Sequence, residues 1–173
     1  MFGIFFGMQG IPQVLLIGPS FSGKSTLAAI WGGQERGSHR VTGNVTVTDV
    51  EVSQGDEVSS ILVIDSGGTP ISHTVALDQV VHVDFIALVF DSTSLRSYGE
   101  MKELFKRVDK HNKRMLLIAT KTELDSKILG PSDLQVEAFA KENGLKLFRS
   151  SLTTAMAVLE WIASESMSNP LVN

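Results

Sequence analysis

Nine residues near the start of the chain leave little choice about what must surround them. Gly18-Pro19-Ser20-Phe21-Ser22-Gly23-Lys24-Ser25-Thr26 reads G-x-x-x-x-G-K-S. The apolar run Val14-Leu15-Leu16-Ile17 precedes it, and Ser25-Thr26-Leu27-Ala28-Ala29-Ile30 opens with helical character. A strand that runs into a glycine-rich turn and leaves it as a helix is the context in which this spacing binds phosphate. Glycines at both ends let the backbone wrap with its N–H groups inward, and the helix N-terminus adds partial positive charge. The loop from Gly18 through Ser20, Phe21, Ser22 and Gly23 to Thr26 would then cradle the phosphates. Lys24 would reach the β- and γ-phosphates, and the Ser25 hydroxyl would ligate Mg²⁺. An ordinary glycine-rich turn before a helix is the competing reading, and the flanks on both sides disfavour it.

Composition narrows the classes further. At 173 residues the chain has the size of one domain and can bury a real core. Its net charge of -4 argues against non-specific nucleic-acid binding, which needs a basic surface. These residues include no cysteine, which removes disulfides, thiolate zinc sites, thiol catalysis and prenyl or palmitoyl attachment to them. No stretch has the length to span a bilayer. Residues 1–11 read as an apolar leader, 12–168 as the domain and 169–173 as a tail. The leader lacks the basic flank and cleavage site of a signal peptide, and Gly is not at position 2. It could touch a membrane or a partner. A leader that packs on the domain or stays disordered is favoured, because no lysine or arginine precedes Lys24 to meet an anionic surface.

Along the chain, residues 32–40 are polar and glycine-rich, hence a loop. Val45 to Val52 alternates apolar and polar, and Ile61-Leu62-Val63-Ile64 runs into Asp65, which predicts a hairpin with its turn at residues 54–57. Ser66-Gly67-Gly68-Thr69-Pro70 breaks the pattern. Residues 85–90 and 115–119 are continuous apolar runs, as strands covered on both faces require. Between them, Met101, Leu104, Phe105 and Val108 recur at helical spacing. Ser132 to Asn143 predicts a helix with Leu134, Val136, Phe139 and Ala140 apolar. Leu145 to Phe148 predicts a strand, and Thr153 to Glu165 a helix with Met156, Leu159 and Ile162 on one face. Strands alternating with helices imply a mostly parallel sheet.

The rest of a nucleotide site belongs at the carboxyl ends of the other strands. Asp65 could hold Mg²⁺ directly or through water, and Gly68 could bring a backbone N–H to a γ-phosphate, although Asp65-Ser66-Gly67-Gly68 also reads as a plain turn. Thr42 could offer its hydroxyl to the metal, or be a loop threonine. In Thr120-Lys121-Thr122-Glu123, the carboxylate can accept from guanine N1–H and the exocyclic amine, while the lysine stem lies along the base. Ser150 and Ser151 could turn backbone N–H groups toward the guanine oxygen. The four histidines (His39, His73, His82 and His111) show no metal-ligand spacing and read as surface or loop residues. No histidine base stands near Ser22 or Ser25 in sequence, so nothing points to acyl transfer and no catalytic side chain is assigned.

This ordered set resembles the Ras-like small GTPases over nearly the whole chain after Gly10. Ser25, Thr42 and Asp65 stand at separations close to the family's P-loop, switch I and switch II. Val89-Phe90-Asp91-Ser92-Thr93-Ser94, with Ser97-Tyr98, looks like the V-[FY]-D-x-T…S-[FY] segment of Rab and Ras proteins. Ala138 to Leu145, leading into Phe148-Arg149-Ser150-Ser151, is similar to the Rab run before T-S-A. The resemblance implies a P-loop NTPase three-layer α/β sandwich with a six-stranded, mostly parallel sheet, one antiparallel edge strand and about five helices. It also implies a switch that binds GTP or GDP with Mg²⁺ and whose loops, ordered by the γ-phosphate, engage protein effectors and regulators.

The departures define an atypical member. Thr69 occupies the place of the glutamine that orients attacking water, so intrinsic hydrolysis should be weak. Ser20 and Phe21 add side chains to the P-loop. The family's N-K-x-D appears as Thr120-Lys121-Thr122-Glu123, losing the amide that ties this loop to the base and the P-loop. Leu152 blurs the S-A-K motif, and Arg36 falls near the base-stacking aromatic of switch I. Without cysteine the chain resembles soluble Rab-like proteins, and Ile64-Asp65-Ser66-Gly67-Gly68, without glutamine, resembles those of intraflagellar transport particles, which implies a cytoplasmic setting in intracellular transport, ciliary or flagellar in its most specific form. Two other classes stay open: a pseudo-GTPase kept as a constitutive interaction module, and, ranked last for want of clustered arginines, a small-molecule kinase.

Overall fold

The apolar runs become the middle of one sheet, and its two faces account for most of the core. A computed structural model describes residues 10–33, 45–54, 57–108, 113–124 and 129–168. In chain order the elements are β1 (Gln13–Ile17), α1 (Lys24–Trp31), β2 (Thr46–Gln54), β3 (Glu57–Asp65), α2 (Pro70–Gln79), β4 (Phe85–Asp91), α3 (Leu95–Val108), β5 (Arg114–Thr120), α4 (Asp133–Glu142), β6 (Lys146–Arg149) and α5 (Met156–Ser168). A short 3₁₀ turn (Val80–His82) links α2 to β4. The strands lie in the order β2-β3-β1-β4-β5-β6. All pairings are parallel except the β2–β3 hairpin, whose register runs from Thr46↔Asp65 to Gln54↔Glu57.

The central strands are apolar throughout because both of their faces are covered. In β1, Val14 and Leu16 pack with Leu27 and Trp31 of α1 and Leu159 and Ile162 of α5. The alternate residues, Leu15 and Ile17, pack with Ala76 of α2, Met101 and Phe105 of α3 and Val136 of α4. This is the three-layer sandwich the sequence implies. Parallel pairing sets the ends of β1, β3, β4 and β5 along one edge, which places Gly18, Asp65, Asp91 and Thr120 together.

Several elements differ from the sequence reading. β3 is longer than Ile61–Ile64, because the ladder with β2 continues through Val58 and Ser59 toward the hairpin turn. α2 occupies a stretch read only as a break. Thr69 caps it, its Oγ1 accepting from Ser72 N at 3.2 Å, and Pro70 takes the first helical position, where a missing N–H costs nothing. In α4 Leu134 is 77% exposed, and in α5 Met156 is 39% exposed. Val136 and Ala140 in α4 and Leu159 and Ile162 in α5 are buried as expected, and Val158 and Ala163 join them in α5. The leader through Gln9, Arg36, His39, Thr42, His111, and the hairpin tip at 55–56 lie outside the described residues.

Candidate functional site

The phosphate loop is held open from beneath. Gly18 sits where any Cβ would be driven into the Val89 carbonyl oxygen. Gly23 has φ 90°, a left-handed value that favours glycine, and its missing Cβ leaves room for the Thr120 side chain. Phe21 also lies at φ 62°, costing about 1 kcal/mol, and turns a 71% exposed ring to solvent. Thr69 and Ser132 cap α2 and α4 with their side chains, whereas Gly23 offers α1 no capping oxygen. The first-turn N–H groups of α1 therefore face the loop without a side-chain acceptor at the cap, the condition under which a helix start attracts an anion.

Lys24 lies buried inside this cradle. Its Nζ donates to Gly18 O and Pro19 O at 2.8 Å each, with a longer contact of 3.4 Å to Ser22 Oγ. Burial lowers its pKa to about 8 even though the Asp65 carboxylate pulls the other way. An ammonium held charged at neutral pH against that shift costs the folded chain about 3 kcal/mol. A bound polyphosphate would offset that cost. Asp65, at the end of β3, is also buried, and burial raises its pKa against a hydrogen bond from Ser25 and the charge of Lys24. Its Oδ1 has no hydrogen-bond partner. A buried, unpartnered carboxylate oxygen beside a serine hydroxyl and a phosphate cradle fits Mg²⁺, a cation that takes few protein ligands and leaves the rest to water and phosphate. No cluster of three histidine, aspartate or glutamate side chains that could hold a metal exists among the described residues.

The turn after β3 packs directly on the loop. A Cβ at Gly68 would overlap the backbone of Ser20. Ser66 anchors the turn, its Oγ donating to Leu16 O at 2.7 Å. His73, read from sequence as a surface or loop residue, is buried in α2. Its Nε2 donates to Gly18 O at 3.0 Å, the same carbonyl that Lys24 holds. Burial lowers its pKa, so the ring is neutral with the proton on Nε2. Sequence reasoning missed this residue; the Thr69-Pro70 helix start was the available signal.

The loops after β5 and β6 sit beside the cradle. Thr120 Oγ1 contacts Ser22 O at 2.7 Å and Phe90 O at 3.0 Å. The expected loss of a tie between this loop and the P-loop is therefore corrected: a hydroxyl makes the connection that an amide would. Lys121 stands at φ 59° with its Nζ on Asp91 Oδ2 at 2.5 Å. Glu123 is exposed on the same loop. Ser150 N donates to Ala119 O at 2.8 Å, and Ser151 N to Thr154 Oγ1 at 2.9 Å, so both N–H groups are engaged inside the chain. The structure brings Gly18 to Thr26, Asp65, Gly68, Thr120, Lys121, Glu123, Ser150 and Ser151 to one edge of the sheet.

Two comparisons bear on this site. A model of the Ras family matches residues 13–167. The Ras-related protein SEC4 of Saccharomyces cerevisiae is 27% identical over 149 residues, covering 83% of this chain and 67% of SEC4. Small GTPases of this kind generally bind guanine nucleotide with Mg²⁺ and engage protein effectors. With a phosphate loop, a buried aspartate ending β3 and a six-stranded, mostly parallel sheet with one antiparallel edge strand, the chain belongs to the Ras family of small GTPases and is Rab-like.

Proposed function

We propose that this protein is an atypical Rab-like switch that binds GTP or GDP with Mg²⁺, hydrolyses GTP slowly, and recruits protein effectors in intracellular traffic. The observation that carries this reading is the charge arrangement under α1. A desolvated Lys24 ammonium and an unpartnered Asp65 Oδ1 face an uncapped helix start, and each gains a partner when a Mg²⁺-polyphosphate binds. Gly18 to Thr26 would hold the phosphates, with the Gly68 N–H near the terminal one. Ser25 and Asp65, joined by Thr42, would hold the metal. Lys121 and Glu123 would face the base, with Ser150 and Ser151 near its oxygen. When bound, the metal supplies charge neutralisation at the phosphates.

Slow hydrolysis follows from Thr69. Its Oγ1 is engaged with Ser72 N and, at 2.8 Å, with Ser72 Oγ, so a short side chain already committed to capping α2 stands where water would need orienting. The setting we assign is cytoplasmic, with a ciliary or flagellar role as its most specific form. Titrating mant-GTP against mant-ATP with and without Mg²⁺ tests the proposal: Mg²⁺-dependent preference for GTP is expected, and preference for ATP would remove the guanine assignment.

A second reading has its own support. The N–H groups of Ser150 and Ser151 are taken up internally, and switch II already rests on the P-loop through Gly68 and His73. A pseudo-GTPase serving as a constitutive interaction subunit would show these features. It predicts that Lys24→Ala leaves partner binding intact; loss of binding counts against it.

A further inference from the structure

Beside the base loop stands an ion pair that phosphate binding does not require. Asp91 ends β4 and Lys121 follows β5, neighbouring strands whose register sets Asp91 opposite Thr120. Lys121 Nζ donates to Asp91 Oδ2 at 2.5 Å. The other oxygen, Oδ1, accepts from Thr93 N at 2.9 Å and Thr93 Oγ1 at 2.7 Å. Asp91 N donates to Ser97 Oγ at 3.0 Å, which anchors the backbone as well. The carboxylate is thus oriented by the turn behind it before it meets the lysine.

This pair differs from the others. Its side chains are 33% and 13% exposed, while in the pairs Arg96–Glu100, Lys106–Glu103, Arg149–Asp133 and Arg149–Glu137 both members are more exposed than that. Lys121 also holds a left-handed backbone at φ 59°, a conformation uncommon for a residue with a side chain. Strained, half-buried and fixed at its tip, the side chain has lost the freedom a surface lysine keeps. The preceding residue, Thr120, touches Gly23 and Ser22, so Lys121 leaves the sheet next to the phosphate loop.

We propose that Asp91 is a positioning residue for the nucleotide base: by holding the Lys121 ammonium, it sets the lysine stem as a fixed wall of the base slot. The proposal rests on the guanine-nucleotide reading above. A flexible lysine must be ordered when the base arrives, whereas a stem already fixed by Asp91 meets the base at no such cost. Because Asp91 acts through Lys121, its removal should matter only while Lys121 is present.

The test is a double-mutant cycle on the full chain with Mg²⁺, measuring GDP affinity by displacement of mant-GDP for wild type, Asp91→Asn, Lys121→Ala and both together. Asp91→Asn should weaken GDP binding about tenfold, as loss of one charge-assisted contact predicts, and the double variant should be no weaker than Lys121→Ala alone. Thr93→Val, which removes one bond to Asp91 Oδ1 and leaves the pair itself, should give a smaller loss in the same direction, and it decides the matter if Asp91→Asn melts early. Wild-type affinity in Asp91→Asn, or losses that simply add in the double variant, would overturn the positioning role. Failure of the wild type to bind GDP would instead overturn the reading beneath it.

Discussion

The phosphate end and the base end of this site are built by different means. At the phosphate end backbone lies on backbone, Gly18 under the Val89 carbonyl and Gly68 on Ser20, and the Lys24 side chain is held by two loop carbonyls. At the base end they run through side chains: Thr120 to Ser22 O, Lys121 to Asp91, and Ser151 within a cluster with Thr153 and Thr154. A backbone cradle leaves no room for a Cβ and so keeps its glycines and lysine. A side-chain scaffold can be rebuilt with other residues that reach the same atoms. That is why the P-loop pattern is intact here while the base-binding motif departs from the family's form, and why the departure at Thr120 still ties the two loops together.

The sharpest way to break this contrast is at Gly18. Gly18→Ala should abolish nucleotide binding and cost about 3 kcal/mol by overpacking against a backbone that cannot yield. Chemical denaturation checks it, and an alanine accepted with little loss would show that the phosphate end has room after all. Next comes Lys24→Met. Nucleotide affinity should fall on the order of a hundredfold, roughly 3 kcal/mol, yet the nucleotide-free chain should become more stable by about 2 kcal/mol, because a desolvated charge is removed. Those opposite signs, read by fluorescence titration and urea melts, separate a ligand site from a structural lysine.

At the base end, Thr120→Val keeps the shape and removes the hydroxyl, leaving Ser22 O, the nearer of its two carbonyl contacts, short of a donor. We expect about 1–2 kcal/mol of lost stability and faster nucleotide release, measured by melting and by mant-nucleotide dissociation. The smallest effect belongs to His73. Its folded pKa lies below its unfolded value of about 6.5, so the unfolded chain binds more protons in that window. Stability should therefore fall as pH drops from about 6.5 through the lowered value. In His73→Gln that part of the slope should vanish, while Lys24, Arg107 and Glu100, which also act on the ring, stay in place.

What could be read from the chain follows the same division. The P-loop, the buried runs of β1, β4 and β5 and the stripe of α3 carry strong spacing or continuous apolarity, and the structure has them where they were expected. α2 was opaque because it is inverted: Ile71 and Val75 are exposed, while Ser72 is buried against the Thr69 cap and His73 is buried on Gly18. Only its Thr69-Pro70 start spoke for it. Leu134 and Met156 misled for the opposite reason, as apolar residues at helical spacing that fall on the solvent side. The Asp91–Lys121 pair lies thirty residues apart in sequence and becomes visible only when β4 and β5 are neighbours.

Freshly purified protein, kept in Mg²⁺ and then denatured, offers the most direct test, because chromatography of the released small molecules reads the cradle's natural occupant. The account predicts close to one guanine nucleotide per chain from the native sequence and almost none from Lys24→Met. Adenine nucleotide in its place, or an empty wild-type chain that also takes up no GDP when supplied, would contradict it.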